Sequence, residues 1–89
     1  MTIKEKRSIY EHAINKWGLQ AQLFMVMEEV GELLNALAKV NRNRSTKDEI
    51  ITELADVSIM VEQMANFFGW NDYCKERERK LIRLEKRLG

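Results

Sequence analysis

Two groups of carboxylates, Glu28-Glu29-Val30-Gly31-Glu32 and Glu53-Leu54-Ala55-Asp56, stand inside the two most apolar segments of this chain. On a helix, like charges three or four residues apart repel by roughly 0.2–0.5 kcal/mol per pair. No Lys or Arg lies within four residues of either group to offset that repulsion. Burial adds a larger penalty unless the charge is paired or bound to a cation. A helix with both an apolar stripe and a carboxylate face has two faces to cover, which places it inside a bundle with its acids turned inward. Hard oxygen ligands from two facing helices are what Mg²⁺ or Mn²⁺ takes, and the substrates that travel with Mg²⁺ commonly carry phosphate. The pattern points to a divalent-cation site for phosphate chemistry.

The rest of the chain is consistent with helices alone. It has no proline, and Leu, Ala, Glu, Lys, Arg and Met are abundant, so an all-α fold is expected in one domain over residues 1–89. A chain of this size buries only roughly 60–65% of its unfolded surface, which makes oligomerisation a natural source of further stability. Its 15 basic and 14 acidic residues nearly balance, which argues against a nucleic-acid-binding field or a polybasic membrane patch. Cys74 is the single cysteine, so neither an internal disulfide nor a cysteine zinc site can form. No run reaches the roughly 18 apolar residues of a membrane span. Residues 1–7 lack the apolar region of a signal peptide, so the expectation is a cytoplasmic protein without a membrane partner.

Local signals set the expected helix limits. Thr2 with Glu5 fits a capping box, and Ile3, Tyr10, Ile14 and Trp17 recur at helical spacing until Gly18. A second helix runs from Leu19 to about Val40, with Leu19, Leu23, Val26, Val30, Leu33, Leu37 and Val40 in one stripe. After the polar loop 41–45, Ser45 or Thr46, with Asp48 or Glu49 three residues on, can cap a third helix ending at Gly69. Its stripe is Ile50, Leu54, Val57, Val61, Met64 and Phe68. Asn71 or Asp72 can cap a fourth helix running to Leu88, on which Glu76 faces Lys80.

At about 100° per residue, Glu28, Glu29 and Glu32 fall on one face, and Gln22, Met25, Ala36 and Lys39 extend it. On the third helix the line Glu49, Glu53, Asp56, Met60, Gln63 and Phe67 runs beside the apolar stripe. Solvated acids on amphipathic helices are the bland alternative, and it fits one isolated Glu better than two clusters on consecutive helices. Trp17, Phe24, Phe67, Phe68 and Trp70 read as core aromatics. His12 reads as a surface residue, and Arg42, Arg44 and Lys47 as a solvated basic loop within reach of phosphate.

E-E-x-x-E followed, after 20 residues, by E-x-x-D resembles the signature of MazG-like nucleoside triphosphate pyrophosphohydrolases of the all-α NTP pyrophosphatase superfamily. The flanks Trp17-Gly18, Gln22, Ala55-Asp56-Val57-Ser58-Ile59-Met60 and Glu62-Gln63 look like the short phage and bacterial type, and the resemblance covers about residues 10–70. It implies helical hairpins forming a four-helix bundle across a homodimer or homotetramer. It also implies Mg²⁺-dependent conversion of an NTP or dNTP to the monophosphate and pyrophosphate, with Mn²⁺ a possible substitute. By position it makes Glu29, Glu32, Glu53 and Asp56 metal ligands. Glu28 becomes a second metal contact or the catalytic group that orients or deprotonates water. Gln22, Lys39 and Gln63 become substrate contacts. Gln63 stands where many relatives have Asn, and Met25 where they often have Lys, which leaves phosphate binding to Lys39 or the fourth helix. A dUTPase-like enzyme and a non-catalytic helical oligomerisation module remain as alternatives.

Overall fold

A computed structural model describes residues 1–43 and 46–89. The chain forms α1 (Ile3–Trp17), α2 (Leu19–Val40), α3 (Lys47–Phe68) and α4 (Trp70–Leu88), with no strand among the described residues. Arg44 and Ser45, two of the expected loop residues, lie outside the described residues. Among the described residues, no helix is long and apolar enough to cross a membrane.

All four helix starts follow from local chemistry. Thr2 and Thr46 each accept a hydrogen bond from the backbone N–H three residues on, while Glu5 and Glu49 accept from the cap backbone, which completes two capping boxes. Gly18, at φ 88°, ends α1 and at once begins α2, and Gly69, at φ 149°, does the same between α3 and α4. A side chain would strain either backbone. The expected cap of α4 at Asn71 or Asp72 is therefore corrected: the chain re-enters a helix directly after Gly69, which leaves Asp72 in the first turn. There its charge opposes the positive end of the helix dipole. Glu76 pairs with Arg79 rather than mainly with Lys80, as an ion pair three residues apart.

α2 and α3 are antiparallel neighbours. Gln22 meets Gln63, and seven residues later Glu29 meets Asp56 and Glu53, so the contacts climb one helix as they descend the other. α1 lies against the far end of α3, where Arg7 Nε donates to Asn66 Oδ1 at 2.7 Å and the Tyr10 hydroxyl donates to Glu62 Oε2 at 2.7 Å. The Arg7 guanidinium also rests 5.5 Å from the centre of the Trp70 ring, which ties α1 to the start of α4.

The most fully buried residues are Tyr10, Gln22, Ala36, Met60, Gln63 and Ala65, while the apolar stripes divide: Leu19, Leu23, Val26, Val30, Leu33, Ile50, Val57 and Met64 are half-buried, and Leu37, Val40, Leu54, Val61 and Phe68 stay exposed. Four of the five expected core aromatics, Trp17, Phe24, Phe67 and Phe68, are likewise exposed, and only Trp70 is partly covered. Two helices in contact bury just the strip where they meet. The radius of gyration is 15.4 Å, against about 12 Å for a compact domain of this length.

Candidate metal centre

The helical repeat puts Glu29 on the same side of α2 as Gln22, and Glu53 and Asp56 on the same side of α3 as Met60 and Gln63. Once the antiparallel register is set at the glutamines, the acids must converge. Carboxylate oxygens of Glu29, Glu53 and Asp56 lie within 4.8 Å of one another, and all three residues are half-buried. Oxygens bound to one Mg²⁺ at 2.0–2.1 Å stand at most about 4.2 Å apart, so a small inward movement of the side chains brings this set into range.

Their electrostatics are unfavourable without a cation. Glu29 Oε2 and Glu53 Oε2 are shut off from water and have no hydrogen-bond partner among the described residues. Burial, followed by the Glu32, Asp56, Glu53 and Glu28 charges, raises the Glu29 carboxyl above the ordinary value of 4.5. Burial also raises Glu53, followed by Glu32, which comes close enough to share a proton with it, and Asp56. An orphaned buried carboxylate oxygen is costly, and two beside each other are costlier. The donor set fits a divalent cation: all oxygen, on two rigid helices, with two oxygens left without a partner.

The other expected site residues divide clearly. Glu32 is exposed and stands beside the three-oxygen cluster, near enough to perturb Glu29 and Glu53. Glu28 is exposed on the flank, and its charge acts on Glu29 less than those of the other acids. Gln22 and Gln63 come together, with Gln63 Nε2 donating to Gln22 Oε1 at 2.5 Å. Lys39 is half-buried in the last turn of α2, about 10 Å along the axis from Glu32 and away from the cluster. Arg42 and Lys47 are exposed, and Arg44 lies outside the described residues.

The Tyr10–Glu62 pair was not anticipated. Burial and then the Glu62 hydrogen bond and charge push the Tyr10 hydroxyl up to about 12. The sequence signal was Tyr10 on the apolar stripe of α1, a position at which a buried hydroxyl needs an acceptor. Comparison with family models, curated proteins and solved structures finds no match to this chain.

The raised carboxylates have a consequence in pH. Carboxyls with folded values above their unfolded ones favour the fold while protonated, so their contribution is complete below about 4.5 and is lost as pH rises through the raised values. A bound cation reverses the sign, because it needs the charged forms. The expected result, across about pH 4 to 8, is a metal-free melting temperature that falls relative to a Glu53→Gln variant while the Mg²⁺-induced rise grows. A Mg²⁺ response that is flat with pH would exclude these two acids as ligands.

Proposed function

We propose that the protein is a MazG-like, Mg²⁺-dependent nucleoside triphosphate pyrophosphohydrolase that hydrolyses NTP or dNTP to the monophosphate and pyrophosphate. The observation that carries this reading is the convergence of Glu29, Glu53 and Asp56 from two helices with two buried carboxylate oxygens unpartnered. In it, Glu29, Glu53 and Asp56, with Glu32 at the edge, hold the cation. Bound there, Mg²⁺ would neutralise phosphate charge and lower the pKa of a coordinated water.

The side chains have distinct tasks in this scheme. Glu28, exposed on the flank, orients the attacking water or takes its proton. Lys39, further along the same helix, meets the phosphate chain, and Gln22 and Gln63 meet the nucleoside. The acids alone would repel a triphosphate, so substrate binding and cation binding are linked in this reading.

The test is incubation of the eight common NTPs and dNTPs with Mg²⁺ or Mn²⁺, followed by separation of the products. Monophosphate and pyrophosphate in equal amounts, lost on chelation, are expected. Turnover of one nucleotide alone, such as dUTP, would identify a nucleotide-specific enzyme instead. The same samples give a second readout, since a cation at 100 times its Kd stabilises the fold by about 2.7 kcal/mol. Neither turnover nor Mg²⁺ stabilisation would leave the non-catalytic oligomerisation module.

A further inference from the structure

α4 runs on past the packed part of the molecule. Trp70 and Tyr73 are half-buried, every residue from Cys74 on is exposed, and α4 buries none of its residues. One face of it is nonetheless patterned. Trp70, Cys74, Arg77, Leu81, Leu84 and Leu88 recur alternately four and three residues apart, which is the spacing of the a and d positions of a coiled coil. Trp70, Cys74 and Arg77 look across an open cleft of about 580 Å³ at Lys6 of α1 and Val61 of α3. Beyond that cleft Leu81, Leu84 and Leu88 are 45%, 51% and 80% exposed.

The residues flanking this seam determine what fits it. With Leu81 and Leu88 at a and Leu84 at d, the e positions are Glu78 and Glu85, and the g positions are Lys80 and Arg87. In a parallel pair, a g side chain meets the e side chain five residues on in the other helix, so Lys80 of each chain meets Glu85 of its partner. Two identical opposite-charge pairs result. In an antiparallel pair g meets g and e meets e, which sets Lys80 against Arg87 and Glu78 against Glu85, twice each. Each chain therefore carries both halves of the parallel match, and only clashes for the antiparallel one. Lys80, Glu85 and Arg87 form no ion pair among the described residues, and the pair that α4 does hold, Glu76 with Arg79, lies on its outer face.

We propose that α4 pairs with α4 of a second copy of this chain as a parallel, in-register, two-stranded coiled coil over residues 77–88. The contact needs neither the cation nor the hydrolytic reading, and it uses residues of α4 alone. Two heptads are too short to stay helical as a free peptide. Here α4 starts at Gly69 from a packed body, so its helix is formed before a partner arrives. Arg77 stands where the seam leaves the cleft. Its aliphatic stem extends the apolar seam while the guanidinium stays in water.

The test reads the distance between the two seams, with the full chain at micromolar concentration in a glutathione redox buffer. In a Cys74→Ser background, Leu88→Cys puts the one thiol at an a position, and Lys86→Cys puts it on the outer face. Opposed a positions of a parallel, in-register pair fall in the Cα range of about 4.4–6.8 Å that a disulfide spans. In an antiparallel pair with residue 88 opposite residue 77, the two residues 88 stand about 16 Å apart along the axis. Leu88→Cys is expected to form the covalent dimer about tenfold or more faster than Lys86→Cys. Adding Lys80→Glu to the Leu88→Cys protein turns both attractive pairs repulsive and should slow that bond about fivefold. Adding Glu85→Lys as well restores the match, and the rate should return to within about twofold of its first value. These positions are exposed, so helical content by circular dichroism stays unchanged. Equal rates for Lys86→Cys and Leu88→Cys, the result if α4 instead closes over its own cleft, would overturn the pairing. A bond unchanged or quickened by Lys80→Glu, or no recovery with Glu85→Lys, would overturn the parallel match.

Discussion

Glu53→Gln is expected to lower Mg²⁺-dependent pyrophosphate release by about 10³-fold or more, and at the same time to raise the melting temperature of the metal-free protein. The two effects have one cause. Glu53 is held half-buried beside Glu32 and Asp56, and one of its oxygens has no partner among the described residues, so its charge opposes the fold whenever no cation is bound. The amide keeps the shape and removes the charge. Asp56→Asn should behave in the same way, and both variants should lose the Mg²⁺ thermal response. Glu28→Gln should separate the roles: it lies outside the three-oxygen cluster, so turnover falls while the Mg²⁺ response remains. Near wild-type turnover in Glu53→Gln would show that the ligand assignment is wrong.

The positions of these acids were legible because they depend on local order. Capping at Thr2 and Thr46, breaks at Gly18 and Gly69, and a loop short enough to force neighbouring helices together determine where Glu29, Glu53 and Asp56 stand. The start of α4 was not legible, because it depends on one glycine conformation rather than on a capping side chain. Nor was the pairing of Gln22 with Gln63, which each helix pattern treats as a lone polar residue and only the register between helices brings together. The depth of burial was the largest miss. Apolar stripes on α2 and α3 read as core, yet within one chain they are half-buried or exposed, and Gln22 and Gln63 lie deeper than any of them. Periodicity says that a face wants cover, and it does not say which chain supplies it.

That uncovered surface leads to the other large expected effect: the protein should sediment as a dimer or larger at micromolar concentration, and Phe24→Glu should dissociate it and unfold most of the chain. The isolated chain exposes 7135 Å², roughly 1,700 Å² more than a compact monomer of its mass. Much of that excess is apolar, with Phe24, Met27, Leu34 and Phe68 each more than 60% exposed on the two central helices. Hiding a comparable area on each of two chains would give an interface of obligate size, above about 2,000 Å² in total. Phe24 sits outside both the three-oxygen cluster and the apolar stripe of α2, so a carboxylate there meets only the repulsion of Glu28 one turn on, roughly 0.2–0.5 kcal/mol, which is small beside the loss of an interface side chain. It would remove a side chain worth about 1.5–3 kcal/mol when buried and oblige the interface to desolvate a carboxylate. Sedimentation equilibrium of both proteins, together with a melting temperature that rises with parent protein concentration, checks the claim. A folded parent monomer with full pyrophosphohydrolase activity at micromolar concentration would contradict it, because the apolar faces of α2 and α3 would then be stable in water without a second chain.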